Sequence, residues 1–115
     1  MLSFSSKQRY FLYRGTTDMR KGFNGLSGLV RAHIEHDLMS GDVFIFLNKR
    51  RDRIKLLMWD ATGFAVWYKV LERGTFELPG GEGASLELDW TKLVLLLEGV
   101  ELKSVKKRVR YRQAA

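Results

Sequence analysis

Residues 48–74 read NKRRDRIKLLMWDATGFAVWYKVLERG: a polar turn, an apolar strand, a tight turn and a return strand. From Arg53 to Trp59 the side chains alternate, Ile54, Leu56 and Met58 facing one way and Lys55, Leu57 and Trp59 the other. Asp60-Ala61-Thr62-Gly63 supplies the hairpin turn, with Gly63 expected at positive φ. The return strand runs from Phe64 to Leu71, with Phe64, Val66, Tyr68 and Val70 on one face and Ala65, Trp67, Lys69 and Leu71 on the other. Just upstream, Asp42 to Leu47 is a continuous apolar run, so three consecutive strands form an antiparallel meander.

On the N-terminal side of the meander, Arg9 to Tyr13 is a short aromatic strand candidate and Arg14 to Thr17 a turn. Met19, Phe23, Leu26, Val30 and Ile34 recur at helical spacing and predict a helix over residues 19–36, capped by Thr17 or Asp18. Gly22, Gly25 and Gly28 fall inside it, and each costs a helix roughly 1 kcal/mol against alanine. Either the backbone packs closely there, or the first half of the helix is irregular. On the C-terminal side, Thr75 to Leu78 and Ser85 to Leu88 are short strand candidates flanking the loop Pro79 to Gly83. Asp89 caps a second, buried helix over residues 90–98, which Gly99 ends. The expected fold is α+β, an antiparallel β-meander of three to five strands packed with two helices. It forms a single domain over residues 1–102, followed by a basic C-terminal tail, 103–115.

At 115 residues, 45% hydrophobic and 29% charged, the chain has the size and composition of one globular domain. It has no cysteine, which excludes disulfides, thiolate metal sites and a cysteine nucleophile. No apolar run is long enough to cross a membrane, so a soluble cytoplasmic protein is expected. The formal charge is +7, and six cations without an acid lie in residues 103–115. Removing those six from the 20 leaves 14 cations against 13 acids over the first 102 residues. Charge distributed in this way attracts polyanions to one arm of the molecule.

Catalytic patterns are weak. Asp18 and Asp89 read as caps, Asp52 and Asp60 as turn residues. His33 and His36 have chelating spacing but no further histidine or cysteine to complete a zinc site, and they read as surface residues at a helix end. The glycines of residues 22–28 lack the dinucleotide fingerprint, and those of 80–83 lack the lysine of a P-loop. No metal and no cofactor is expected. What remains is positive charge: Arg20 and Lys21 at the first helix, Lys49, Arg50, Arg51, Arg53 and Lys55 around the meander tip, and Lys106, Lys107, Arg108, Arg110 and Arg112 in the tail. Such residues bind nucleic-acid phosphate without sequence choice. The tip cations read equally well as solvated turn residues, whereas the crowded tail cations repel one another and do not assist folding. Trp59 and Trp67 could stack on bases, but core packing is the favoured reading.

Several blocks are shared with a known family. TDMRKGFNGL (17–26), RRDRIKLLMWD (50–60), Gly63-Phe64, LERGTF (71–76) and LLEG (96–99) resemble, in order and spacing, the small TnpB accessory proteins of bacterial insertion sequences of family sixty-six. The large RNA-guided nucleases that share that label are a different group. The resemblance covers about residues 9–100. Two positions depart from it: Asn24, where aspartate is frequent, and Leu78, where tryptophan is. The resemblance implies a non-catalytic accessory role in DNA transposition in the bacterial cytoplasm, associated with the nucleoid. The implied partners are a separate transposase and a second small accessory protein, and the cations add DNA, expected at the element ends. Residues 103–115 owe nothing to the resemblance. An alternative is a protein-interaction module that docks the transposase through the glycine face of the first helix and the meander, with little direct DNA binding.

Overall fold

Strand alternation turns into the two faces of a sheet. The computed structural model describes residues 4–98. Its elements are β1 (Tyr10–Thr16), α1 (Phe23–His33), β2 (Val43–Leu47), β3 (Arg53–Trp59), β4 (Phe64–Val70), β5 (Ser85–Leu88) and α2 (Trp90–Glu98). The sheet order is β4-β3-β2-β1-β5. β2, β3 and β4 form the antiparallel meander, with Leu57 opposite Phe44 on one side and Val66 on the other. β5 is antiparallel to β1. β1 and β2 are parallel, joined through α1, since parallel neighbours need a crossover rather than a hairpin.

All five residues of β2 are buried, as a central strand covered on both faces requires. Val43, Ile45 and Leu47 join Ile54, Leu56, Met58, Phe76 and, from α2, Leu93 and Leu96 in one core. Phe44 and Phe46 join Leu57, Phe11, Leu26 and Val30 of α1, and Ile34 just after it, in the other. The helices therefore cover opposite faces of the sheet. Each fully buried leucine or phenylalanine contributes roughly 1.5–3 kcal/mol of transfer free energy. α1 reaches the start of β4, where Phe23 stacks on Phe64 at 4.4 Å between ring centroids. Beyond that point Val66, Tyr68 and Val70 of the edge strand are 40%, 44% and 48% exposed, so α1 leaves this part of the sheet bare.

The structure departs from the sequence-based expectations at several places. α1 starts at Phe23 and not at residue 19, because Gly22 is its N-cap and no side chain caps it. Asp18 organises a separate turn ahead of the helix, accepting from the backbone N–H of Arg20 through its carboxylate and of Lys21 through its carbonyl. At the other end Ile34 is already extended, although its N–H still reaches the Val30 carbonyl. The irregular first half is therefore real, and close packing on the sheet is not the reason for the glycines: a Cβ at Gly28 would meet open space, and one at Gly25 only the Lys21 side chain. β1 continues through the anticipated turn at Arg14, with an irregular register between Leu12 and Thr16. Gly63 is not at positive φ; Ala61 takes that conformation, with φ 78°. Thr75 to Leu78 is not a strand, yet Phe76 is fully buried and its N–H donates to the Arg51 carbonyl. Asp89 caps α2 as expected, accepting from the Lys92 N–H at 2.8 Å. Gly99 and the tail lie outside the described residues.

Candidate functional site

The ends of β1 and β2 and the start of β3 meet at one side of the sheet and enclose an open cleft of about 680 Å³. Its walls come from two stretches distant in sequence. Thr16, Thr17, Asp18, Met19 and Arg20 form one, and Asn48, Lys49, Arg50, Asp52 and Arg53 the other; Tyr68 of β4 completes it. Four cations face two carboxylates. Asp18 is committed to Arg20 through paired contacts of 2.7–3.1 Å, and the Arg20 guanidinium holds the Asp18 carboxyl at about 2. Asp52 accepts from the Asn48 amide at 2.7 Å. Lys49 and Arg50 are exposed and make no side-chain hydrogen bond or ion pair among the described residues.

Asn48 shapes the β2–β3 turn. Its side-chain oxygen accepts from the backbone N–H groups of Asp52 and Arg53 at 3.1 and 3.0 Å, and its carbonyl accepts from Arg51. An asparagine side chain can mimic a backbone turn in this way. Arg51 sits at the corner with φ 59°, and its carbonyl receives the Phe76 N–H. The turn is thereby fixed to the chain that leaves β4, where the Leu71 N–H also donates to the Asp52 carbonyl at 2.8 Å.

The structure brings Arg20, Lys49, Arg50 and Arg53 together around the cleft and leaves Lys21, Arg51 and Lys55 outside its lining. The Lys55 ammonium donates to the Lys21 carbonyl at 2.8 Å and lies 4.9 Å from the centre of the Tyr68 ring. Lys106, Lys107, Arg108, Arg110 and Arg112 lie outside the described residues. Sequence reasoning missed Tyr68, Thr17 and Asn48 as parts of the site. The available signal for Tyr68 was its exposed-face position on β4, directly opposite Lys55; for Asn48 it was an asparagine closing an apolar strand. The Thr17 hydroxyl is buried without a partner among the described residues, which no local pattern foretells. Trp59 and Trp67 lie on opposite faces of the sheet: Trp59 packs on Phe64 at 4.9 Å and Trp67 meets Phe4 edge-on at 6.2 Å.

The histidines are not a chelating pair. His33 stacks on Tyr13 at 5.0 Å, whereas His36 lies beyond the helix and pairs with Asp42 at 2.8 Å, both largely buried. Burial opposes ionisation of Asp42, but the Arg9 backbone N–H, His36 and Ser40 outweigh it and hold the carboxyl below its usual range. Among the described residues no three of histidine, cysteine, aspartate or glutamate come together as a metal site, and no helix is long and apolar enough to cross a membrane.

The fold and cleft define a small α+β protein with a basic opening at one side of its sheet. The chain belongs to the family described as IS66 Orf2 like protein, which matches residues 8–107. Family membership implies an accessory role in the transposition of such insertion sequences, in association with their transposase. Two relatives from Sinorhizobium fredii (strain NBRC 101917 / NGR234) are similar over most of their length. The uncharacterized protein y4jC is 32% identical over 108 residues, 94% of this chain and 92% of that one. The uncharacterized protein y4hO is 30% identical over 101 residues, 88% of each. No solved structure matches the chain.

Proposed function

We propose that the chain is a non-catalytic DNA-binding accessory protein of transposition, acting beside a separate transposase and a second small accessory protein on the element ends. The cleft contacts phosphate through Arg50, Arg53, Lys49 and Arg20, and the cations of residues 103–115 add a second contact. The observation that carries this reading is the convergence on one cleft of cations from two blocks far apart in sequence, with Lys49 and Arg50 unpaired among the described residues. Phosphate contacts of this kind release counterions, so affinity falls as salt rises. Working on DNA in a bacterium, the protein would be cytoplasmic and nucleoid-associated. An electrophoretic mobility assay of the full chain on the terminal repeats, with unrelated DNA as control, tests the reading. Binding lost at raised salt supports it, and no binding at low salt contradicts it.

A second reading is favoured by the bare stripe of Val66, Tyr68 and Val70 on the edge strand β4. An exposed edge strand accepts a strand from another protein. In this reading β4 docks the transposase and DNA contact is slight. Capture of purified transposase after nuclease treatment, lost in Val66→Lys, supports docking; capture unchanged by that substitution contradicts this use of β4.

A further inference from the structure

The cleft combines two kinds of group that a duplex does not need together. Besides its cations it carries an aromatic ring, Tyr68, which is 44% exposed. The Arg53 guanidinium donates to the Tyr68 hydroxyl at 3.3 Å, so a phosphate-binding cation and a stacking surface are adjacent. Thr17, in the same wall, holds a buried hydroxyl without a partner among the described residues. Buried hydroxyls are ordinarily satisfied, and a phosphate oxygen is an acceptor. At about 680 Å³ the cleft has the size of a site that encloses a small ligand. A duplex keeps its bases stacked inside, whereas a single strand offers a base face alongside each phosphate, which is what proteins with cations beside aromatic rings exploit.

We propose that the cleft takes one nucleotide of single-stranded DNA, its phosphate held by Arg50 and Arg53 and its base against the Tyr68 ring. This rests on the DNA-binding reading and assigns the strand form recognised. Asp18 is paired with Arg20, and Asp52, which accepts from the neutral Asn48 amide, is outnumbered in the lining by Lys49, Arg50 and Arg53. Lys55 lies against the Tyr68 ring and adds positive charge beside the stacked base.

The test measures fluorescence anisotropy of the full chain with a short labelled oligothymidylate and with a blunt duplex of equal length, at one low salt concentration. Tyr68→Leu should weaken single-strand binding by about 5- to 150-fold and duplex binding by no more than Tyr68→Phe does, since both variants lose the hydroxyl that meets Arg53. Tyr68→Phe, which keeps the ring, should retain single-strand affinity. Tyr68 is exposed, so unchanged thermal melts are expected for both variants. No effect of Tyr68→Leu, an equal loss on both probes, or an equal loss with Tyr68→Phe overturns the proposal. Duplex binding that persists in such a case leaves the DNA-binding reading standing, whereas a parent protein that binds neither probe ends both.

Discussion

Lys55 of β3 donates its ammonium to the backbone carbonyl of Lys21, 2.8 Å away and 34 positions earlier in the chain. That bond ties the segment before α1 to the strand behind the basic turn, the two parts that form the cleft. It gives Lys55 a positioning role that a reading of charge alone assigns to phosphate. Lys55→Met should lower stability by about 0.5–1.5 kcal/mol, as expected for one hydrogen bond. Urea denaturation checks this. Arg50→Gln, at an exposed residue without a side-chain partner among the described residues, should leave the urea midpoint where it is.

Asn48 should matter more to the turn than any of its cations. Its side chain makes three of the hydrogen bonds that fix residues 48–53. Asn48→Ala removes all three and should cost about 1–3 kcal/mol. The same variant should weaken DNA binding although no charge changes, because Arg50 and Arg53 lose their placement. Denaturation and anisotropy on one preparation test both effects.

Ala61 occupies the left-handed region, with φ 78°. That conformation costs an L-residue about 1–2 kcal/mol. Glycine avoids the cost but gives back about 0.4–1 kcal/mol through the freer unfolded chain. Ala61→Gly should therefore raise stability slightly, seen as a higher melting temperature.

The meander was legible because its signal is local. Alternation from Arg53 to Leu71 placed Ile54, Leu56 and Met58 on one face and Leu57 on the other, as the two cores show. The parallel pairing of β1 with β2 was not legible, since nothing within RYFLY or DVFIFL names a partner or a direction. The start of α1 was misplaced because Met19 continues the apolar stripe and packs on the α1 core from a turn. The positive φ went to Ala61 rather than Gly63 in a turn where the Asp60 carboxylate accepts from the Thr62 and Gly63 N–H groups. The cations of the cleft were visible one by one. Their convergence with Thr17 and Tyr68 depends on how β1, β2 and β4 are ordered, which is a property of the sheet and not of any short window.

Acid should destabilise the fold in a definite window. The carboxyl of Asp18 is held at about 2 by Arg20; that of Glu87 is lowered chiefly by the Arg9 guanidinium; that of Asp42 is lowered despite burial by the Arg9 N–H, His36 and Ser40. All three pKa values are depressed in the folded chain, so the unfolded chain binds more protons in acid. Their contribution is present above the ordinary carboxylate range, roughly pH 4, and is lost as pH falls through the folded values. The urea midpoint should fall between about pH 4 and pH 2, and less steeply in Asp42→Asn than in the parent.

Contact between the cleft cations and DNA phosphate underlies the binding effects described above. The direct measurement is the salt dependence of duplex binding for the parent and for Arg50→Gln/Arg53→Gln, with Lys92→Gln of α2 as control. The double variant should lower the slope of log affinity against log salt by about 2, one unit per lost phosphate contact, while Lys92→Gln should leave the slope unchanged. A double variant with the parent's affinity and slope would contradict it.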